Sequence, residues 1–485
     1  MAAKPDPART VAYRTLRAVS AEDAYANLVL PRLLVEAGLS GRDAALATEL
    51  GYGTLRASGT LDEVLRRCAS RPLDDIEPAV LDLLRLGAYQ LLRTRIPTHA
   101  AVATTVDLAR STGNARASGF VNAILRKVTA RDFAAWCAEI SRDASPLGKL
   151  AVRYSHPGWI VAAFADALAA QPVAARPLDA DSANAELADA ELADAELADV
   201  ELADAELADA ELADALAADD ARPETHLVAW PGRIDRAELV EQSGGEAGPW
   251  SPYAVRLTAG GEPAGLPAIG QGRAGVQDEG SQLCALALAA LALDGPDERW
   301  LDVCAGPGGK AALLAALAAE RGARVTASEL HPHRAELIAR ATAGWDVEIV
   351  VGDARQLPAG ERGYDRVLLD APCTGLGALR RRPEARWRRT PANLADLVTL
   401  QADLLAAALR LVRPGGLVGY VTCSPHLAET GEQIRRVLDE RADVELVDAR
   451  PAFTGLPGLS GPTVQLWPHR HGTDAMFFAA LRRTS

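Results

Sequence analysis

The stretch Leu301-Asp-Val-Cys-Ala-Gly-Pro-Gly-Gly-Lys310 decides the fold class of the C-terminal half of this 485-residue chain. A short apolar run ends in a glycine-rich turn, and an Ala- and Leu-rich stretch follows, which is the pattern of a strand, a tight turn and a helix. Glycines let backbone amides approach a ligand closely, and a helix N-terminus favours negative charge. The turn does not fit the P-loop, because Ala311 stands where that motif has Ser or Thr. It predicts a site for a nucleotide-type ligand.

Short β runs alternate with helical stretches around and after this turn. The runs are 300–303, 324–327, 347–351, 366–369 and 417–421. Strands that alternate with helices predict a doubly wound, mostly parallel sheet, and we assign this Rossmann-like α/β domain to residues 273–485. Ligands of such sheets bind beyond the carboxyl ends of the strands.

Three acidic residues stand at the predicted strand ends. They are Glu329, Asp353 in Val351-Gly-Asp-Ala-Arg355, and Asp370. An acid after the second strand suits a ribose diol, as it does in dinucleotide-binding folds. Solvated loop acids explain any one of the three but explain all three poorly. We therefore expect these carboxylates to face one cofactor.

Two cysteines follow the fourth and fifth predicted strands. Asp370-Ala-Pro-Cys-Thr-Gly-Leu-Gly377 contains Cys373, and Tyr420-Val-Thr-Cys-Ser424 contains Cys423. Both thiols should open onto one cleft, where a thiolate is a strong nucleophile. The alternatives are small buried hydrophobic residues, the role we expect for Cys304, or a redox pair, although the chain has no Cys-x-x-Cys motif.

The N-terminal part predicts helices and the middle predicts a connector. Residues 1–137 show helical spacing, for example at 80, 83 and 84, with a Ser-Thr-Gly-Asn turn at 111–114. Residues 138–272 predict a helical connector followed by a small α/β module rich in Gly and Pro. An acidic pentad repeat within 181–220 interrupts that module.

The net charge of −14 is misleading, because the pentad repeat carries most of it. Residues 185–214 are six Ala-Glu-Leu-Ala-Asp pentads, the fourth beginning with Val200, that hold 12 acids and leave a charge of −2 elsewhere. Residues 1–135 have 18 basic and 14 acidic residues, so a polyanion can still bind at local patches. A period of five gives no single apolar face, which predicts a solvated helix or a tether without a catalytic role.

Targeting signals are missing from the sequence. The longest apolar run, 283–293, has 11 residues, fewer than the roughly 18 of a membrane span. The N-terminus has no signal-like apolar stretch, and the six cysteines lie far apart, which favours reduced thiols. We expect a cytoplasmic protein with no membrane partner.

The motifs together resemble the RNA cytosine-C5 methyltransferases that use S-adenosylmethionine. Gln277-Asp-Glu-Gly-Ser-Gln282, the 304–310 turn and the two cysteine boxes occur in that family's order. The helical part is similar to NusB-type RNA-binding domains. The stretches that carry this likeness are Leu84-Arg-Leu-Gly-Ala-Tyr-Gln90, Ile96-Pro-Thr-His-Ala100 and Phe120-Val-Asn-Ala-Ile-Leu-Arg-Lys127. This combination resembles the bacterial 16S rRNA cytosine-C5 methyltransferases of the RsmB or Sun type.

The resemblance implies a role for each matching residue. Cys423 corresponds to the nucleophile that attacks cytosine C6, and Cys373 to the cysteine that assists product release. Asp370 would hydrogen-bond the base, and Lys310 would orient Asp370 or the base. Glu329 stands where the family more often has Asp. The implied S-adenosylmethionine contacts, with no metal, are Cys304, Ala305, Gly306, Pro307, Gly308, Gly309, Lys310, Glu329, Asp353 and Asp370.

A basic segment after the Cys373 box is the candidate RNA surface. Glu384 is the only acid between residues 380 and 389. Arginine forks suit phosphates, and an aromatic ring stacks on a base. A solvated basic helix is the alternative. The predicted RNA contacts are Arg380, Arg381, Arg382, Arg386 and Trp387, and Arg388 and Arg389 extend the same patch.

Several functions remain open at this point. We expect a monomer that methylates 16S rRNA before the subunit is fully assembled. The same enzyme acting on tRNA, or a non-catalytic RNA-binding assembly factor, is the alternative. A DNA cytosine methyltransferase would not need Cys423, and an amino-methyltransferase would carry an Asn/Asp-Pro-Pro-aromatic box, which this sequence lacks.

Overall fold

The computed structural model describes residues 6–170, 210–258, 263–358, 360 and 363–485. They divide into two compact units. The helical unit holds the chain up to Ala162, Leu216–Arg222 and Leu379–Thr390, and the sheet unit holds the remainder. The predicted pentad repeat lies outside the described residues, except for 210–214, which belong to a helix (α10) whose described part is 210–220.

Helices form the first unit, as the spacing of apolar residues predicted. Asp6 caps the first helix by accepting a hydrogen bond from the Arg9 backbone N–H (2.9 Å), and Pro7 occupies the first turn, where its missing N–H costs nothing. The helices are α1 Pro7–Ala21, α2 Ala26–Glu36, α3 Gly41–Cys68, α4 Pro78–Arg93, α5 Thr98–Ser111, α6 Ser118–Val128, α7 Phe133–Ile140, α8 Pro146–Arg153, the first part of α9 Gly158–Ala169, and α16 Ala385–Arg388.

The helical core depends on two glycines that let side chains pack directly on helix backbones. Gly87 of α4 lies on the same face as Leu83 and Leu84, and a Cβ there would overlap Leu125 of α6. Gly53 of α3 lies under the ring of Tyr89, whose hydroxyl donates to Glu49 (2.5 Å). Small residues therefore set the distance between neighbouring helices.

The small module in the middle of the chain is an antiparallel sheet. Its strands are β1 Thr225–Ala229, β2 Glu246–Ala247, β3 Ala254–Leu257 and β4 Ala274–Val276, in the order β2-β3-β1-β4. Helices α11 Arg236–Ser243 and α12 Pro267–Gly270 accompany it. Leu227, Leu239 and Val255 are buried together in its core.

The large sheet is doubly wound, and this prediction is confirmed. Its order is β10-β12-β9-β8-β5-β6-β7, with β11 paired to β12. From β9 to β7 all strands are parallel. The strands are β5 Arg299–Val303, β6 Arg324–Glu329, β7 Val347–Val351, β8 Tyr364–Asp370, β9 Val412–Thr422, β10 Val444–Val447, β11 Val464–Gln465 and β12 Phe477–Arg483.

Helices pack on both faces of this sheet. They are α13 Glu279–Ala290, α14 Gly309–Glu320, α15 Pro332–Ala341, α17 Pro391–Leu411, α18 Gly431–Glu440 and α19 Pro468–His471. Trp300 of β5 packs with α13 and α14 on one face, whereas Leu301 and Val303 pack with α17 on the other. The strand order reverses between β5 and β8, so a crevice for a ligand lies beyond their carboxyl ends.

The antiparallel strands at one edge were not among the predicted runs. β12 pairs with β9 and β10, and it reads Phe-Phe-Ala-Ala-Leu-Arg-Arg, in which Ala, Leu and Arg favour helix. Ladder pairing and burial between two strands override that local preference. None of the described helices has the length and apolar composition that a bilayer span needs.

Replacing Gly53 by Ala is expected to destabilise the helical unit by about 1–3 kcal/mol, because the new methyl group forces the Tyr89 ring out of its packed position. Gly119→Ala is the matched control, since Gly119 lies on α6 with open space around it. Urea unfolding followed by circular dichroism measures both variants. Equal stability of the two would contradict this account of the core.

Candidate active site

The glycine-rich turn lies at the carboxyl end of β5, as predicted. Cys304 adopts a left-handed backbone conformation (φ 61°), and the Ala305 N–H donates to the Ser328 carbonyl of β6 (2.9 Å). Gly308 has φ 111° and precedes α14, so glycine is the residue that suits this position. The turn therefore presents backbone amides and a helix N-terminus to the crevice.

Glu329 lies against this turn. Its side chain is 3% exposed, and its Oε2 accepts a hydrogen bond from the Gly306 N–H (3.2 Å). Its Oε1 accepts from the His331 N–H (3.0 Å). A Cβ on Gly306 would overlap this carboxylate. The acid after the second strand and the turn after the first thus form one wall of the site.

Asp353 and Asp370 follow β7 and β8, also as predicted. Asp353 is held by Arg355, whose Nη2 lies 2.8 Å from Oδ2, and this pairing lowers the pKa of the carboxyl group. Asp370 accepts a hydrogen bond from Lys310 Nζ at 2.9 Å. Burial alone would lower the pKa of Lys310, but the Asp370 carboxylate raises it above its ordinary value. Lys310 therefore stays an ammonium ion that fixes Asp370 in place.

Asp302, in the Leu301–Lys310 stretch, was not among the site residues predicted from the sequence. It is fully buried on β5, and neither of its carboxylate oxygens has a hydrogen-bond partner within the described part of the chain. Burial and the charge of Asp370 hold its pKa well above the ordinary value. A buried carboxyl group of this kind needs a hydrogen-bond donor. The sequence did contain a signal for Asp302, because an acidic residue inside an otherwise apolar strand is rare.

The two predicted thiols meet at the carboxyl ends of β8 and β9. Cys373 Sγ lies 3.4 Å from Cys423 Sγ, and both cysteines are half-buried and reduced. The hydrogen bond to Cys423 and burial raise the pKa of Cys373 well above its ordinary value. Cys373 is therefore held as a thiol, and either sulfur can be the donor in this contact. Burial also raises the pKa of Cys304 to about 12, which matches a non-reactive role.

The Gln277–Gln282 motif has a structural role, because its acidic residues cap a helix and form an ion pair. Asp278 caps α13 and accepts hydrogen bonds from the Gly280 N–H (2.9 Å) and the Asp474 N–H (3.2 Å). Glu279 is fully buried and pairs with Arg256 at 2.6 Å. The motif joins the small antiparallel sheet to the large one.

The basic segment belongs to the helical unit, and one prediction within it is wrong. Arg386 is fully buried and paired with Asp219 (3.1 Å) and Asp220 (3.3 Å), so its guanidinium has no surface for a phosphate. Arg380 is also buried, with 6% exposure. Arg381 is half-buried, whereas Arg382 and Trp387 are exposed. A run of arginines does not reveal which of them pairs with acids distant in sequence.

The fold and the site define the class of protein: an α/β enzyme with a nucleotide-type cofactor crevice, joined to a helical domain. Residues 289–482 match the family described as 16S rRNA methyltransferase RsmB/F, and residues 6–130 match the NusB family. Both likenesses read from the sequence are thereby confirmed.

Relatives match over nearly the whole chain. The putative methyltransferase Rv1407 of Mycobacterium tuberculosis (strain ATCC 25618 / H37Rv) is 52% identical over 99% of this chain and 97% of its own length. The probable ribosomal RNA small subunit methyltransferase B of Bacillus subtilis (strain 168) is 30% identical, with 99% of each chain covered. The crystal structure of PH0851 shares the fold, with a TM-score of 0.74, 21% identity and 99% coverage of both chains. The chain belongs to the RsmB/F family of S-adenosylmethionine-dependent RNA methyltransferases.

Gly306→Ala is expected to weaken S-adenosylmethionine binding by about tenfold or more, because its methyl group would push Glu329 and the turn apart. Gly270→Ala makes the same change at a position with open space around it and should bind as the wild type does. Isothermal titration calorimetry measures both affinities. Unchanged binding by Gly306→Ala would remove this turn from the cofactor site.

Proposed function

We propose that the protein transfers a methyl group from S-adenosylmethionine to C5 of a cytosine in RNA through a covalent bond between Cys423 and C6. The observation that carries this proposal is the pair of thiols 3.4 Å apart beside the cofactor crevice. A methyltransferase that acts on an oxygen or an amino group needs no such pair. Cytosine C5 is a weak nucleophile, and a sulfur added at C6 makes it reactive.

The residues at the crevice fit the proposed cofactor. S-adenosylmethionine offers a ribose diol, an adenine and an ammonium group. Glu329 accepts a backbone N–H at each oxygen, Oε2 also lies 3.5 Å from Arg334 Nε, and the remaining lone pairs suit hydroxyl groups. Asp353 stands at the next strand end. The unpartnered oxygens of Asp302 suit the ammonium group. When bound, the cofactor supplies an electrophilic methyl group on a sulfonium.

The protein's own groups carry the remaining chemistry. The Cys423 thiolate adds to C6, and the electron pair of the C5–C6 double bond becomes available at C5. Asp370, fixed by Lys310, hydrogen-bonds N3 or the exocyclic amine and stabilises the charge that develops. After methylation, the C5 proton passes to water in the cleft. The C5–C6 double bond re-forms as the C6–S bond breaks and returns its electron pair to Cys423.

Cys423 is proposed as the nucleophile because the family resemblance gives it that role, and its neighbour is suited to assist it. Cys373 remains a thiol, since the hydrogen bond to Cys423 and burial raise its pKa. A thiol that donates to the second sulfur stabilises that sulfur as a leaving group. In this proposal, the two cysteines divide the work as the family resemblance implies.

We propose 16S rRNA, before the subunit is fully assembled, as the substrate of a monomeric enzyme in the cytoplasm. The name of the Bacillus subtilis relative supports rRNA over tRNA. An accessible strand also suits the chemistry, because the target base must leave its stack before sulfur and methyl donor can reach opposite sides of the ring.

Cys423→Ala is expected to abolish methyl transfer while leaving S-adenosylmethionine affinity unchanged, because only the nucleophile is lost. Cys373→Ala should instead accumulate a covalent RNA–protein adduct, since release of the base is impaired. Gel electrophoresis under denaturing conditions with labelled RNA detects the adduct, and Cys137→Ala, at a buried cysteine of the helical unit, is the control. Full turnover by Cys423→Ala would overturn the assignment.

Bisulfite sequencing after incubation with labelled S-adenosylmethionine identifies the substrate. Protein-free 16S rRNA, tRNA and assembled small subunits are compared with the wild type and Cys423→Ala. We expect one newly protected cytosine in 16S rRNA that is lost in the variant. Protection in tRNA alone would show that tRNA, rather than 16S rRNA, is the substrate. No label in any RNA would favour a non-catalytic RNA-binding factor.

The exposed members of the basic segment remain proposed RNA contacts. Arg382→Gln is expected to reduce RNA affinity severalfold and to lower the salt dependence of binding, because one phosphate contact is lost. Arg32→Gln is the control, an exposed arginine of the same unit that lies 3.5 Å from Glu36. Filter binding at several salt concentrations compares them. An equal loss in both variants would indicate only a change in net charge.

A further inference from the structure

Glu429 is a fully buried carboxylate beside the two cysteine loops, and the mechanism above does not use it. It ends the short 3-10 turn Leu427–Glu429 that follows the Cys423 box. Its Oε1 accepts a hydrogen bond from the Thr374 N–H at 2.8 Å, and its Oε2 accepts one from the Thr374 hydroxyl. Thr374 directly follows Cys373, so Glu429 holds the chain next to that thiol.

The residue on the other side of Cys373 is held through the same carboxylate. Gln401 Nε2 donates to Glu429 Oε1 (2.9 Å) and to the Pro372 carbonyl (2.9 Å). The hydroxyl of buried Tyr420 donates to the Glu429 carbonyl (2.9 Å). An interior carboxylate is costly unless its lone pairs are filled, and here the donors are the Thr374 N–H, the Thr374 hydroxyl and the Gln401 side-chain amide.

Two further contacts extend this clamp to the Cys423 loop. The Thr374 hydroxyl lies 3.2 Å from the Ser424 hydroxyl, and the Gly377 N–H donates to the Cys423 carbonyl (2.9 Å). The distance of 3.4 Å between the two sulfurs is therefore set by a network with Glu429 at its centre. The negative charge of Glu429 also contributes to the raised pKa of Cys373, after the hydrogen bond to Cys423, burial and the charge of Cys423.

We propose that Glu429 is a positioning residue for product release, which holds Cys373 against Cys423 so that the thiol donates a hydrogen bond to the leaving sulfur. The inference rests on the proposed function, because it requires the bond between Cys423 and C6. The first half of the proposed reaction uses Cys423, Asp370 and Lys310, whereas Glu429 binds the residue that follows Cys373. Loss of the clamp should therefore slow release more than methyl transfer.

Glu429→Gln tests this division. We expect multiple-turnover methylation to fall about tenfold while single-turnover methyl transfer changes by less than about twofold, and the covalent RNA adduct accumulates. The rise of the Cys373 alkylation rate with pH should also begin at a lower pH, because the variant lacks the negative charge of Glu429 that helps to raise the pKa of this thiol. Alkylation by iodoacetamide is followed by mass spectrometry of the Cys373 peptide. Glu432→Gln, an exposed glutamate of the neighbouring helix α18, is the matched control and should behave as the wild type does.

A second variant separates positioning from general loss of structure. Circular dichroism and thermal unfolding first show whether Glu429→Gln folds. If it does not, Gln401→Met removes one arm of the clamp at similar side-chain volume and should show the same pattern to a smaller extent. Wild-type turnover in the folded variant, or an equal loss of single and multiple turnover, would overturn the inference.

The Cys373→Ala variant distinguishes this inference from the proposed function. If Cys373→Ala traps no adduct, the proposed covalent mechanism fails. If Cys373→Ala traps an adduct and Glu429→Gln does not, the mechanism stands and only the role of Glu429 fails. In the double variant, the effects should not add, since both changes impair one step.

Discussion

The parallel pairing of β5, β8 and β9 is the constraint on which the rest of the site depends. Val303 pairs with Leu369, and Leu369 pairs with Tyr420, so the three strands end in one row. The residues that follow them are the glycine-rich turn, the Cys373 box and the Cys423 box. Because side chains in neighbouring parallel strands keep register, groups far apart in sequence arrive within hydrogen-bond distance at that edge.

Buried charge is arranged around this edge in three different ways. The Asp370 carboxylate is neutralised by Lys310, whereas Glu429 is satisfied by neutral donors and Asp302 has no protein donor in the described residues. Interior charges are expensive, so each arrangement indicates a purpose. A paired carboxylate is fixed, a hydrogen-bonded one organises loops, and burial raises the pKa of the unpartnered Asp302. The difference between them comes from tertiary neighbours.

The helical unit shows how the same residue type takes opposite roles within a few positions. Arg386 is an interior anchor for Asp219, whereas Arg382, four residues earlier, is exposed. Burial of a charged guanidinium is tolerated only where acids pair with it. Asp219 and Asp220 come from the end of α10, far from the arginines in sequence, and no local pattern indicates that pairing. The basic run indicated a possible surface but not which of its members form it.

The sequence by itself determined the fold class, the strands around the glycine-rich turn and the two thiols. Glycine spacing, apolar alternation and the cysteine boxes are patterns contained within short stretches of the chain. It also located Glu329, Asp353 and Asp370 at strand ends, since parallel strands make that position predictable. Only the tertiary structure decided the antiparallel edge formed by β12, the burial of Arg386, the lack of a partner for Asp302 among the described residues and the clamp at Glu429. These depend on which distant side chains share an interior, and burial and pairing, rather than local propensity, fix their energies.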